Sequence, residues 1–474
     1  MTDDKELAFT PAWKLREMVV ARKVSPVELA ELYLRRIESL NPKLNAYLTV
    51  TADEALATAR TAESRLGRDK GGSLGPLHGV PISIKDLELT RGVRTTLGSY
   101  AYRDRVPDMD SIVVERVRRS GAVILGKTNT PEFGLYASTE NKLGEPCRNP
   151  WDVSRTAGGS SGGAGAALAA GLCPIAVGSD GGGSIRIPCC FNGVFGIKAT
   201  QGRVPRYGGY GVPAPNQFAQ SGPMANTVHD VAILLQVLSG FDARDPGSLR
   251  APAPDVLTGL DKGVKGLRVG WSADLGYAAV DPKVLDVTSK AARAFAELGA
   301  SVEEFTLDMG DPFPSFWTIF ATNSYTSNLQ LWEEHASDLA DYTREAFEFG
   351  ASRTGADYAR AVRTVDGLRC RADEVMERFD LLVTPVTSVP AFKFGQRPTT
   401  IAGRKVDAFW GVFPFTFPFN MTGQPAASVP CGFVDGMPIG LHIVGRRGED
   451  ATVLRAAAAF EQARPWQGKR PPVS

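Results

Sequence analysis

The chain has 474 residues, with 53 lysines and arginines against 52 aspartates and glutamates, and is 43% hydrophobic and 22% charged. That balance lacks the low hydrophobicity of a disordered chain and the basic excess of a nucleic-acid binder, so no nucleic-acid partner is expected. Six cysteines (Cys147, Cys173, Cys189, Cys190, Cys370, Cys431) have no zinc-type spacing and are expected to be reduced and mostly buried.

Near the N-terminus the only apolar run, residues 18–21, is too short for the core of a secretion signal. No run approaches twenty apolar residues, so no membrane partner and a cytoplasmic location are expected. Ser25-Pro26-Val27-Glu28 pairs a capping-box serine and glutamate around a proline at the first helical position, which predicts a helix over 26–40 with Leu29, Leu32, Leu34, Ile37 and Leu40 on its apolar face. Helices are also expected over 13–22 and 52–66, then a glycine-rich loop over 70–76. Residues 79–85 form a short β-prone run that delivers Lys85 at its end. A helix from residue 111 leads to a strand at 122–125.

The small-residue stretch 161–171 reads as a tightly packing helix. A buried strand at 174–178 then presents a Gly/Ser cluster at its carboxyl end, where open α/β sheets place their chemistry. Further helices are expected at 228–238, 282–298 and 451–463, strands at 267–271, 302–305 and 381–385, and a surface connector at 253–263. Residues 313–376 read as mainly helical and carry Phe316, Trp317, Phe320, Tyr325, Trp332 and Tyr342, expected to be core with a substrate lining as the alternative. The alternation predicts an α/β fold whose sheet has substantial parallel character.

Two short motifs mislead. Gly121-Ala122-Val123-Ile124-Leu125-Gly126-Lys127-Thr128 fits the phosphate-loop pattern, but its variable positions form a strand rather than a loop, and Asn129-Thr130-Pro131 continues a helix poorly. The pattern G-x-S-x-G occurs around Ser160 and again around Ser161. A nucleophile elbow needs an apolar strand before it, and residues 149–156 read as a loop; His229, His335 and His442 follow in the right order but lie in no informative motif. Neither nucleotide binding nor a Ser-His-Asp triad is therefore expected.

Two hydroxyl-bearing glycine clusters and a strand-borne lysine remain, a set suited to nucleophilic catalysis without histidine. The runs Gly158-Gly159-Ser160-Ser161-Gly162-Gly163, Gly178-Ser179-Asp180-Gly181-Gly182-Gly183-Ser184-Ile185-Arg186-Ile187-Pro188 and His78-Gly79-Val80-Pro81-Ile82-Ser83-Ile84-Lys85-Asp86 closely resemble the amidase signature family. Similarity continues through residues 126–133, 221–225 and 420–426. The resemblance implies a Ser-cisSer-Lys triad, with Ser184 as nucleophile, Ser160 as a proton-relaying serine on a cis peptide, and Lys85 as the initial base. A lysine acts as base only when neutral, which burial favours. The amides of Gly181, Gly182 and Gly183, with that of Ser184, are expected to form the oxyanion hole. Asp180 and Arg186 are expected to brace the loop, Lys127 and Lys198 to be structural or solvated, and Cys189-Cys190 to be packing residues. His442, where relatives often carry glutamine, is expected to have no catalytic role.

The resemblance implies an amide-bond hydrolase that could also cleave esters or carbamates, with a small-molecule amide as substrate, no cofactor and no metal, and a homodimer as the oligomeric habit. Two alternatives are the transamidation subunit of a glutamine-dependent tRNA amidotransferase and a non-catalytic binding protein on the same scaffold. By position, Leu135, Tyr136 and Tyr210 are expected near the substrate, and the loop 207–211 and the segment 410–419 to form aromatic walls favouring apolar or aryl substrates. The fold implied is a single α/β domain over 1–474, a mixed central sheet covered by helices on both faces. Its parts are a helical segment 1–70, a signature core 76–230, a substrate-side region 253–379 and a C-terminal part 380–474.

Overall fold

Ser25 accepts a hydrogen bond from the Glu28 amide at 3.0 Å while the Glu28 carboxylate accepts from the Ser25 amide at 2.7 Å, the reciprocal pair that starts a helix. The computed structural model describes residues 4–66, 72–208 and 217–474, so part of the expected loop at 70–76 lies outside the described residues. In it the helix runs from Pro26 to Leu44, past the expected residue 40, and ends where Asn45 turns left-handed at φ 48°. Helices Ala12–Val20 and Ala52–Leu66 flank it in sequence. Among the described residues, no helix is long and apolar enough to cross a membrane.

Eleven strands form one sheet: β1 (Tyr47–Val50), β2 (Pro81–Lys85), β3 (Val123–Thr128), β4 (Ile175–Asp180), β5 (Phe195–Lys198), β6 (Gln220–Ala225), β7 (Arg268–Trp271), β8 (Ser301–Glu304), β9 (Leu381–Pro385), β10 (Ala426–Val434) and β11 (Met437–Gly445). Their order is β1-β3-β2-β4-β6-β5-β10-β11-β9-β7-β8. Parallel pairing is confined to β3-β2-β4 and β9-β7-β8, and the centre between these groups is antiparallel. The sheet is thus more antiparallel than the alternation of elements suggests, because β1, β5, β6, β10 and β11 are strands that the pattern reading did not identify. Strands from all four expected parts, 1–70, 76–230, 253–379 and 380–474, join this one sheet.

One face of the sheet buries Ile82, Ile84, Ile175 and Val177 against helices Val228–Leu238, Pro282–Glu297 and Asp450–Ala463. On the other, Val123, Leu125 and Ala176 pack with the N-terminal helices and with the small-residue helix Gly162–Ala169, whose glycines and alanines allow close approach. The helices Phe313–Ser327, Leu329–His335, Asp341–Ala351 and Gly355–Arg378 supply Phe316 and Phe347 to an aromatic core that Trp410 and Phe413, from a later segment, complete. Residues 149–156, expected as a loop, contribute to a two-stranded hairpin of Arg148–Asn149 with Asp152–Thr156 that stands outside the main sheet.

Candidate active site

Strands β3, β2 and β4 run parallel; Lys85 pairs in register with Thr128, and β4, paired to β2 through Ser83–Ala176 and Ile84–Val177, runs on past the end of β2 to Asp180. Period-two alternation along β2 sends Ile82 and Ile84 into the core and leaves Lys85 for the opposite face. Lys85 is fully buried, and its Nζ lies 2.7 Å from Ser160 Oγ, 2.9 Å from Ser161 Oγ and 3.0 Å from Ser179 Oγ. Burial pushes its pKa down to about 7, against the opposing pull of the Asp180 and Glu88 carboxylates.

The two glycine clusters meet through Ser161. Its amide donates to the Ser184 carbonyl at 3.1 Å, its hydroxyl donates to the Ser179 carbonyl at 3.1 Å, and the Ser179 amide donates back to that hydroxyl at 3.2 Å. The peptide bond between Gly159 and Ser160 is cis. Gly159 must lack a side chain, since a Cβ there would stand 2.6 Å from the Tyr136 carbonyl oxygen. Ser160 and Ser184 line one cavity. Ser161 and Ser179 are site residues that sequence reasoning did not assign; both stand inside the quoted motifs, but their contact with Lys85 spans 76 and 94 positions.

Asp180 organises the turn that carries Ser184. Its carboxylate accepts from the amides of Gly183 at 2.7 Å and Ile185 at 3.2 Å, and from Arg186 Nε at 2.9 Å and Nη2 at 2.8 Å. Burial opposes its ionisation, but Arg186 and the hydrogen bonds prevail and hold its pKa well below the ordinary value. The Gly183 amide is therefore committed to Asp180, unlike its expected place in the oxyanion hole. Among the described residues, the amides of Gly181, Gly182 and Ser184 have no acceptor in the hydrogen-bond network.

Arg186, wholly buried, also donates to the Thr416 carbonyl at 2.9 Å and to His442 Nε2 at 3.0 Å. A guanidinium can only donate, so Nε2 accepts and Nδ1 carries the proton, which faces Thr384 Oγ1 at 3.3 Å. Burial and the Arg186 charge keep His442 neutral. Removing Arg186 would strand a buried carboxylate. Arg186→Leu is expected to lower stability by about 3–5 kcal/mol, read from the midpoint of denaturant unfolding.

The cleft over Ser160 and Ser184 encloses about 650 Å³, part of it open to solvent; Leu87, Val113, Phe133, Pro205, Ala219 and Phe320 supply apolar surface, and Glu88, Gln220 and Ser221 polar surface. Gly134, Arg206 and Tyr207 also line it. Leu135 and Tyr136, expected near the substrate, are absent from this lining, and Phe133 and Gly134 stand there instead. Tyr136 is drawn off by an aromatic stack, with ring centroids 4.8 Å from Tyr342 and 5.0 Å from Phe409, beneath the Arg397 guanidinium. Tyr210 lies outside the described residues, as do residues 209 and 211 of its loop. The segment 410–419 is core rather than wall: Phe413, Phe415, Phe417 and Phe419 are buried, and Trp410 packs so closely on Gly182 that a Cβ there would meet its ring at 2.9 Å. Of the aromatic residues within 313–376, Phe320 alone lines the cleft among the described residues.

The remaining motif residues take structural places. Val123–Thr128 of the phosphate-loop pattern is strand β3, as its composition requires. Lys127 and Lys198 are buried rather than solvated, donating to the backbone carbonyls of Glu88 and of Ala199 and Gln424. Cys147, Cys173, Cys189 and Cys190 are buried, whereas Cys370 is exposed.

The family model for amidases matches residues 28–454. The chain is 39% identical to an acylamidase of Rhodococcus erythropolis over 99% of this chain and 98% of that protein. It is 38% identical to a glutamyl-tRNA(Gln) amidotransferase subunit of Moorella thermoacetica over 98% of this chain and 99% of the relative. Its fold matches the crystal structure of a bacterial aryl acylamidase of the amidase signature enzymes with a TM-score of 0.91 at 33% identity, covering 97% of each chain. With the family model spanning nearly the whole length and relatives of this identity matched end to end, the chain belongs to the amidase signature family and is an enzyme acting on amides.

Proposed function

We propose that this enzyme hydrolyses carboxylic amides of apolar or aryl character through an acyl-enzyme on Ser184. The observation that carries the reading is a buried, readily neutral Lys85 amine 2.7 Å from Ser160 Oγ, in the same cavity as Ser184. A neutral amine has two N–H donors and one lone pair. Ser161 gives its hydroxyl proton to the Ser179 carbonyl, so it accepts from Lys85 and the lone pair is left for another hydroxyl. Directed at Ser160, that lone pair takes the Ser160 proton as Ser160 takes the proton of Ser184.

Ser184 Oγ then attacks the carbonyl carbon, and the developing oxyanion is met by the amides of Gly181, Gly182 and Ser184. Each such donor is worth about 3 kcal/mol in the transition state. Collapse breaks the C–N bond while the proton returns from Lys85 through Ser160 to the departing nitrogen. Water, deprotonated by the same route, cleaves the acyl-serine ester. Esters and carbamates pass through the same tetrahedral oxyanion and are expected as side substrates.

Substrate character rests on the apolar lining and on the aryl acylamidase whose structure this fold matches. In a panel on purified protein, acyl anilides and aryl carbamates are expected to exceed acetamide in kcat/KM, and a serine-reactive phosphonate to label Ser184. Acetamide as the better substrate would overturn the apolar assignment, and absence of labelling in folded protein would remove Ser184 as the nucleophile. A second reading, the transamidation subunit of a tRNA-dependent amidotransferase, is favoured by the 38% identity to a subunit of such an enzyme. Glutaminase activity with co-purifying subunits would support it, and efficient anilide hydrolysis by the isolated chain would oppose it.

A further inference from the structure

One buried carboxylate on the cavity wall has no part in this proton path. Glu88 follows β2, with its amide donating to the Lys85 carbonyl at 3.0 Å in a tight turn. Ser221 donates its hydroxyl to Glu88 Oε1. Ser221 on β6 is the register partner of Ser179 on β4, so their Cβ atoms are about 5 Å apart on the same side of the sheet. Ser179 Oγ is in turn 3.0 Å from Lys85 Nζ. Glu88 therefore stands on the cleft wall beside the reacting group, only 4% exposed. Lys127 donates to the Glu88 backbone carbonyl and the Arg206 guanidinium, on the same wall, to the Ala219 carbonyl, while the charges of Lys85, Lys127 and Arg206 all attract the Glu88 carboxylate without a hydrogen bond to it among the described residues.

A carboxylate offers roughly four acceptor positions, and the Ser221 hydroxyl occupies one. A substrate entering the cleft displaces water from this wall. If it presents only carbon to Glu88, a carboxylate oxygen loses a hydrogen bond to water that the attraction of the neighbouring cations does not replace, whereas a substrate N–H or O–H restores it. We propose that Glu88 is a specificity-determining residue, selecting amides whose apolar or aryl portion carries a hydrogen-bond-donating substituent, a hydroxyl or an amino group, placed to reach this carboxylate. The inference rests on the amide-hydrolase reading of the Ser184 site. It narrows the substrate class from plain apolar amides to donor-bearing ones.

Two matched substrate pairs test it on the intact enzyme. One pair varies the acyl side, the p-nitroanilides of para-hydroxyphenylacetic and para-methylphenylacetic acid. The other varies the leaving amine, the acetyl derivatives of para-aminophenol and para-methylaniline. In the pair whose substituent enters the cleft, the hydroxyl compound is expected to have the higher kcat/KM by on the order of ten- to a hundredfold. Glu88→Gln should shrink that ratio, and Glu88→Leu should abolish or invert it.

A methyl preference by the wild-type enzyme in both pairs would overturn the proposal whether or not the variants fold. So would Glu88 variants that lower both members of a pair equally and only move the acidic limb of the pH profile, since Glu88 would then act through Lys85 alone. Absence of turnover of all four compounds, together with no phosphonate labelling of Ser184, would instead overturn the hydrolase reading on which the inference rests.

Discussion

Ser184→Ala is expected to lower kcat for anilide hydrolysis by about 10⁴-fold or more and to abolish phosphonate labelling, while leaving the unfolding midpoint nearly unchanged. Ser184 is 7% exposed, and its side chain faces the cleft rather than the core, so removing one hydroxyl creates no packing defect. The turn that holds it is fixed by backbone amides on Asp180, which alanine retains. What is lost is the atom that bonds to the acyl carbon. Near-wild-type turnover by this variant, measured with protein free of contaminating hydrolase, would remove Ser184 from the mechanism.

For Lys85→Met the expected result has three separable parts. Anilide hydrolysis falls by on the order of a thousandfold, the usual scale for a lost general base. An activated aryl ester is affected less, because its phenolate departs without a proton whereas an amine does not. In the wild-type enzyme kcat/KM rises with pH through about 7, the value to which burial pushes the Lys85 amine, since only the neutral form accepts a proton. That limb should vanish in the variant.

Stability moves in the opposite direction to activity. The unfolded chain holds this lysine protonated up to its ordinary pKa, while the folded protein releases the proton above about 7. Between these values the unfolded state binds more protons, so wild-type stability rises with pH across that window and is penalised below it. Replacing the buried amine with methionine removes the penalty. A higher Tm than wild type at pH 7, with activity lost, is therefore expected, as for a group retained for chemistry at a cost in stability. A lower Tm would mean that the three serine hydroxyls around Nζ stabilise the charged amine more than burial opposes it.

Much of the fold was legible where local physics is decisive. The Ser25–Glu28 capping box announced a helix start, and the apolar run before Lys85 placed that lysine at a strand end. The hairpin of β10 and β11 was missed although it carries a local signal. Asp435 and Gly436 join the strands with φ of 48° and 78°, the two positive values that a type I′ turn demands of this pair of residue types. Strands β5 and β6 carry no such signal. Gln220–Ala225 contains glycine and proline and pairs only because β4 and β5 lie on either side.

The sequence by itself determined the chemical inventory: a lysine at a strand end, a serine between glycines, and a second serine after an Asp-Gly-Gly-Gly turn. These are properties of residue type and short-range geometry, which neighbours in the chain specify. Tertiary structure alone decided how the inventory is used. Packing across many intervening residues put three hydroxyls on Lys85, drew Tyr136 into an aromatic stack and set the Ser221 hydroxyl on Glu88, 133 positions away. Such contacts follow from which strands and helices the sheet brings together, and no local pattern encodes that adjacency.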